Sequence, residues 1–166
     1  MLPKLVITDI DGVWTDGGMY YDETGNECKK FNTSDSAGVI FCKKLNIPVA
    51  IITGENAKSA KARANKLKIE FFFAGITDKL ACANDLCGKL GLTLNEIAFI
   101  GDDLTDIALL QKVGLSACPS NASEYVKNIC KWNLPVPGGQ GAFRAFIERI
   151  LLENDKLDEV ISSFMN

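Results

Sequence analysis

Short apolar runs rich in β-branched or aromatic residues alternate along this chain with segments whose apolar residues recur every three or four positions. The runs are Lys4-Leu5-Val6-Ile7-Thr8, Ile47-Pro48-Val49-Ala50-Ile51-Ile52, Glu70-Phe71-Phe72-Phe73 and Ile97-Ala98-Phe99-Ile100. A strand apolar on both sides needs cover on both faces, the situation of a parallel sheet. The intervening segments, 36–45, 56–67, 79–90 and 104–113, have helical spacing and are the natural crossovers. The pattern predicts a doubly wound, mainly parallel α/β sheet with right-handed connections, formed by a single domain over residues 1–166.

Two segments break the alternation. Gly17 to Tyr21 and Glu27 to Phe31, joined by Asp22-Glu23-Thr24-Gly25, read as a β-hairpin inserted at about residues 14–33. Trp14, Tyr20 and Tyr21 of this insert are candidates for a subunit interface. Leu134-Pro135-Val136-Pro137-Gly138-Gly139-Gln140-Gly141 reads as a loop before a last helix over Ala142 to Leu152. Loop, helix and a helical or frayed tail make up a C-terminal segment of about residues 134–166.

Composition then narrows the chemistry. Eighteen Lys and Arg against 21 Asp and Glu give a net charge of −3, so no nucleic-acid partner is expected. No His is present, which removes the commonest general base and metal ligand. The six Cys show no C-x-x-C spacing and are expected as mostly buried, reduced thiols. No apolar run approaches the ~20 residues that span a bilayer, and Met1-Leu2-Pro3-Lys4 lacks the marks of a signal peptide. A cytoplasmic protein with no membrane partner is the expectation.

In open α/β sheets ligands collect at the carboxyl ends of strands. Three strands end in polar residues: Asp9-Ile10-Asp11-Gly12 after the first, Thr53-Gly54-Glu55 after the second, and Gly101-Asp102-Asp103-Leu104-Thr105-Asp106 after the fourth. Lys79 opens the helix after the third. Carboxylates gathered without a cation repel one another, and oxygen-only ligation selects a hard ion such as Mg²⁺. The set suits phosphoryl transfer. Asp9 is the candidate nucleophile and Asp11 the acid–base; Asp9, Asp11 and Asp102 would hold the metal. Thr53 and the Gly54 amide would bind phosphate, with Lys79 balancing its charge, while Asp103 and Asp106 would support these groups from behind.

These four ordered motifs resemble those of haloacid dehalogenase-like phosphatases. Asp-Gly-Val-Trp-Thr-Asp-Gly, Lys-Phe-Asn-Thr-Ser-Asp-Ser-Ala-Gly and Gly-Gly-Gln-Gly-Ala-Phe-Arg extend the resemblance to the capless branch acting on 2-keto-3-deoxy sugar-acid phosphates. The resemblance implies a Mg²⁺-dependent homotetramer without a separate cap domain, whose hairpin and C-terminal segment roof a neighbour's site. It implies sugar contacts at Thr33, Glu55, Arg63 and Lys66, with Arg63 and Lys66 suited to the substrate carboxylate. Glu55 after Thr53-Gly54, together with Lys66, is closer to the nine-carbon type, so KDN 9-phosphate is the favoured substrate. The alternative is 3-deoxy-D-manno-octulosonate (KDO) 8-phosphate.

Other readings compete with this one. Asp-x-Asp-Gly alone occurs in ordinary turns, and Gly12 comes too early for an EF-hand loop. A phosphoacceptor receiver domain uses similar residues but places its acidic pair on the first strand and the acceptor later. A catalytically silent oligomerisation module would not need Asp9, Asp11, Thr53, Lys79 and Asp102 together.

Overall fold

The computed structural model describes residues 1–165. Its strands are β1 (Leu5–Thr8), β2 (Tyr20–Tyr21), β3 (Glu27–Cys28), β4 (Val49–Ile52), β5 (Phe71–Phe73), β6 (Ile97–Ile100), β7 (Leu115–Cys118) and β8 (Trp132–Asn133). Six of them form one parallel sheet in the order β5-β4-β1-β6-β7-β8. The inserted hairpin supplies β2 and β3, antiparallel with Tyr20 opposite Cys28.

Helices α1 (Asp35–Lys44), α2 (Lys58–Lys66) and α6 (Ala142–Leu152) cover one face of the sheet, and α7 (Leu157–Ser162) extends that layer. The other face carries α3 (Lys79–Leu90), α4 (Ile107–Leu110) and α5 (Glu124–Lys127). Strand alternation divides β1 between two cores: Val6 packs with Val39, Phe143 and Phe146, whereas Leu5 and Ile7 pack with Ala83, Leu86 and Leu109. β1 pairs with β4 on one side and β6 on the other. The order in which strands are added switches sides at β1, and its carboxyl end opens the crevice where such sheets bind ligands.

Several expectations need correction. The helix expected over 104–113 is a 3₁₀ turn, Leu104–Asp106, followed by one turn of α4. Asp106 bends back to accept from the amides of Asp102 and Asp103, which tightens the segment. The tail does not continue α6; it breaks at Asp155, with φ of 53°, before α7. β7 and β8 are strands that the apolar runs do not predict. Phe71 to Phe73 are half-buried rather than core, because β5 is an edge strand. The six thiols are free: Cys42, Cys87 and Cys118 are buried, Cys82 and Cys130 half-buried and Cys28 exposed. Among the described residues no helix is long and apolar enough to cross a membrane.

Trp14 is core, not surface. Its ring is fully shielded, stacks on Phe143 at 4.8 Å, and its Nε1 donates to Thr8 Oγ1 at 2.9 Å. It therefore ties the turn after β1 to the start of α6. Tyr20 and Tyr21, in contrast, lie exposed on the hairpin.

A second tie joins α1 to α6. Asp35, shielded at the start of α1, accepts from the Arg144 amide at 3.1 Å and so serves an orphan donor of the α6 N-terminus. Burial raises its pKa to about 6, against the lowering by the Arg144 and Phe143 amides and by Arg63.

Trp14→Ala is expected to cost about 3–5 kcal/mol in urea unfolding, since it removes both the stack and the hydrogen bond. A loss below about 1 kcal/mol would contradict the packing role. Because the folded pKa of Asp35 lies above its unfolded value, this residue stabilises the protonated fold, and that stability is lost as pH rises through about 6. Asp35→Asn should flatten the fall in unfolding free energy between pH 4 and 7 by on the order of 2 kcal/mol, measured against wild type.

Candidate active site

Asp9 directly follows β1, where its amide still donates to Ile100 O at 3.0 Å and continues the ladder. Its side chain is nearly buried. Thr53 follows β4 in the same way, its amide bonded to Phe73 O at 2.9 Å, and Asp102 lies just past β6. Three adjacent strand ends thus deliver three polar side chains to one place. Lys79 enters from the first position of α3, its side chain 1% exposed, with Nζ 2.9 Å from Asp9 Oδ1 and 2.6 Å from Asp106 Oδ1. Asp9, Thr53, Lys79 and Asp102 line a cavity of about 330 Å³ together with Asp11, Gly12, Gly17, Gly54, Glu55, Asp103 and Thr105.

Asp106 has both oxygens occupied: Oδ1 accepts from Lys79, and Oδ2 from the Asp102 amide at 2.9 Å and the Asp103 amide at 3.2 Å. It fixes the loop that carries Asp102. Gly12, with φ of +76°, lets the turn after β1 pass against Asp102; a Cβ there would overlap the Asp102 carboxylate. Asn121 braces the same turn. Its Nδ2 donates to Gly12 O at 3.4 Å and its Oδ1 accepts from the Gly138 amide at 2.6 Å. The C-terminal Gly-rich loop is thereby locked to the residue after Asp11.

The carboxylates strain one another. Burial, then repulsion by Asp106, raises the Asp9 pKa to about 7 against the pull of Lys79. Burial, then Asp9 and Asp106, raises that of Asp102 to about 8. Burial opposes the charge on Lys79, but attraction to Asp9 and Asp106 outweighs it and holds the ammonium above its ordinary value. Two shielded oxygens, Asp11 Oδ2 and Asp102 Oδ1, have no hydrogen-bond partner, and neither does Thr53 Oγ1. Unsatisfied carboxylate oxygens around an acidic pocket are what a hard, oxygen-ligated cation would complete. The residues present therefore fit a divalent ion.

The tightest carboxylate group is Asp9, Asp102 and Asp106, with oxygens within 4.8 Å of one another, rather than Asp9, Asp11 and Asp102. Asp11 lies outside that group, with its Oδ1 2.6 Å from Lys29 Nζ. Glu55 reaches the cavity, and so does Gly54. Thr33, Arg63 and Lys66 do not line it. Thr33 and Lys66 are exposed, and Arg63 Nη2 is engaged with Ser36 Oγ at 2.7 Å and Asn32 O at 3.4 Å. Lys29 and Asn121 carry no signal in the sequence, where nothing distinguishes them from ordinary flap and loop residues, whereas Thr105 lies within the Gly101–Asp106 motif.

Residues 74–141 match the family model of haloacid dehalogenase-like hydrolases. The 3-deoxy-D-manno-octulosonate 8-phosphate phosphatase of Salmonella typhi is 38% identical over 156 residues, spanning 94% of this chain and 83% of that protein. The phosphatase of the same name from Moraxella catarrhalis, solved with magnesium ion, phosphate ion and a KDO molecule, superposes with a TM-score of 0.94. The two are 34% identical, over 98% of this chain and 93% of the other. A cobalt-bound deoxy-D-mannose-octulosonate 8-phosphate phosphatase from Haemophilus influenzae gives a TM-score of 0.89 at 36% identity, over 93% and 91% of the two chains. The receiver-domain alternative drops out.

Asp9 and Asp102 favour their protonated forms below about pH 7 and 8, so without an ion the fold loses stability as pH rises through those values. Mg²⁺ competes with the same protons. Its stabilisation should therefore be larger above pH 8 than at pH 6, read as the rise in Tm on adding the ion. An equal rise at both values would show that the ion binds elsewhere.

Proposed function

Because the chain belongs to the haloacid dehalogenase-like hydrolases, in their capless sugar-acid phosphatase branch, we propose that it removes the phosphate of 3-deoxy-D-manno-octulosonate 8-phosphate. It is a phosphomonoester hydrolase acting on a sugar-acid phosphate. The observation that carries the reading is the convergence of Asp9, Thr53, Lys79 and Asp102 on one cavity at the switch in strand order.

Asp9 is the nucleophile. An Asp9 carboxylate oxygen attacks phosphorus as the bond from phosphorus to the ester oxygen breaks, and Asp11 gives that oxygen its proton, releasing the sugar acid as an alcohol. Asp11 next takes a proton from water, the water oxygen attacks the aspartyl-phosphate, and the bond from phosphorus to Asp9 breaks. Inorganic phosphate leaves with Asp9 and Asp11 restored. Thr53 Oγ1, unpartnered and shielded, and the Gly54 amide hydrogen-bond the transferring group. Lys79 keeps Asp9 aimed into the cavity and offsets phosphate charge. Asp9 and Asp102 would hold the metal, with Asp11 in the same cavity but engaged at Oδ1 by Lys29, and Asp106 fixes the loop behind them through the Asp102 and Asp103 amides. Mg²⁺ supplies positive charge beside the phosphoryl oxygens when bound.

The nine-carbon expectation rested on Glu55 paired with Lys66, and only Glu55 reaches the cavity. The curated relatives carry the name of the eight-carbon substrate, which supports that alternative over KDN 9-phosphate. Roofing in a tetramer stays part of the proposal, with the exposed Met19, Tyr20 and Tyr21 of the flap available to cover a neighbour's mouth. Thr33, Arg63 and Lys66 lie outside the cavity lining, so sugar contact by them is not part of the proposal.

With Mg²⁺, kcat/KM should be highest for KDO 8-phosphate, about tenfold or more above KDN 9-phosphate and N-acetylneuraminate 9-phosphate, measured by phosphate release. A preference for either nine-carbon ester would reverse the assignment. Asp9→Asn should lower kcat by at least about 10³-fold while leaving the far-UV spectrum unchanged. Wild-type turnover in that variant would remove Asp9 as the nucleophile.

A further inference from the structure

One flap side chain behaves unlike its neighbours. Tyr20, Tyr21 and Cys28 on the two short flap strands are exposed, yet the Lys29 side chain, one residue past β3, is completely shielded. Its ammonium lies 2.6 Å from Asp11 Oδ1, 2.6 Å from Glu27 Oε1 and 3.7 Å from Met19 Sδ. A shielded ammonium is tolerated only with its charge paired, and here two carboxylates pair it. Glu27 comes from the flap itself and anchors the lysine there. Asp11 comes from the turn after β1, so the ion pair is the point at which the flap grips the catalytic turn of its own subunit.

The grip sorts the two oxygens of Asp11. Oδ1 is engaged by Lys29, while Oδ2 is shielded, has no partner and belongs to a residue lining the cavity. A free carboxylate rotates about its terminal torsion between broad, roughly two-fold wells. One bonded at a single oxygen is held in one of them.

We propose that Lys29 is a positioning residue for the reaction, holding Asp11 by Oδ1 so that Oδ2 is the oxygen presented to the leaving group. The inference rests on Asp11 being the acid–base. Productive proton transfer needs that oxygen within hydrogen-bond reach of the ester oxygen, and a loosened side chain loses that geometry for part of the time. The effect depends on the leaving group. A sugar alkoxide must take the proton from Asp11 as its bond to phosphorus breaks, whereas p-nitrophenolate departs as a stable anion without one. Hydrolysis of the aspartyl-phosphate, in which Asp11 is the base, is common to both substrates, so the comparison is made in kcat/KM, which covers only the steps through departure of the leaving group.

The test compares wild type with Lys29→Met and Lys29→Arg on KDO 8-phosphate and p-nitrophenyl phosphate, with Mg²⁺ present throughout. Lys29→Met should lower kcat/KM for the sugar-acid phosphate on the order of tenfold to a hundredfold, and for the nitrophenyl ester by no more than about threefold. KM for the sugar-acid phosphate should stay within about threefold. Lys29→Arg keeps the positive charge and should recover most of the lost rate. Equal falls in kcat/KM on both substrates, or a change confined to KM, would overturn the positioning role. Should Lys29→Met show no cooperative melt, Lys29→Gln is measured on the same two esters, where an unequal fall in kcat/KM supports the role and an equal one overturns it. Wild type inactive on both esters would instead overturn the phosphatase reading, so the two failures are distinct.

Discussion

Asp9, Asp102 and Asp106 stand within 4.8 Å of one another, largely out of water, and the strand ends of this protein are organised around what offsets that repulsion. Lys79 is the permanent part of the answer. Its shielded ammonium touches both Asp9 and Asp106, and it is placed by the first turn of α3, so one helix start neutralises groups from two different loops. One lysine is not enough for three carboxylates. The pKa values of Asp9 and Asp102 remain raised, to about 7 and about 8, and Asp102 keeps a shielded oxygen without a partner. That residual strain is the structural expression of a site built for a cation and a phosphoryl group rather than for stability.

Support for this cluster comes from distant parts of the chain. The turn from Ile10 to Thr15 must hold Asp9 and Asp11 apart in orientation although they are two residues apart in sequence. Trp14 pins the turn to Thr8 and Phe143, Gly12 admits Asp102 alongside it, and Asn121 with Gly138 braces it from the C-terminal loop. Gly138 itself could carry no side chain, since a Cβ would overlap the Gly12 carbonyl. The Gly-rich stretch before α6 is thus a backbone surface pressed against the turn after β1. The flap grips the same turn at Asp11 through Lys29.

Much of the architecture was legible because its physics is local. β1, β4 and β6 are uninterrupted apolar runs buried on both faces, and α3 begins and ends where its Asp78 cap and the left-handed Gly91 dictate. The edges were less legible. β7 contains Ser116 and Ala117, β8 has two residues, and they exist as strands because β7 pairs in register with β6 and Ala117 in turn with Trp132. The segment 104–113 has helical spacing, but the demand of two loop amides for the Asp106 carboxylate broke it into a 3₁₀ turn and a single helical turn. Trp14 reads as a surface aromatic of the flap because nothing near it in sequence reveals that Phe143 waits on the other side of the turn.

By itself the order of residues determined the fold class, the acidic strand ends and the lysine that joins them, because hydrophobic period and strand-end chemistry are properties of short segments. It could not determine which carboxylate pairs with which cation. Asp106 rather than Asp11 completes the compact cluster, Arg63 is spent on Ser36 and Asn32, and Lys29 holds Asp11. Those partnerships are decided by where separate elements meet in space, and electrostatic energy depends on those few ångströms rather than on spacing along the chain.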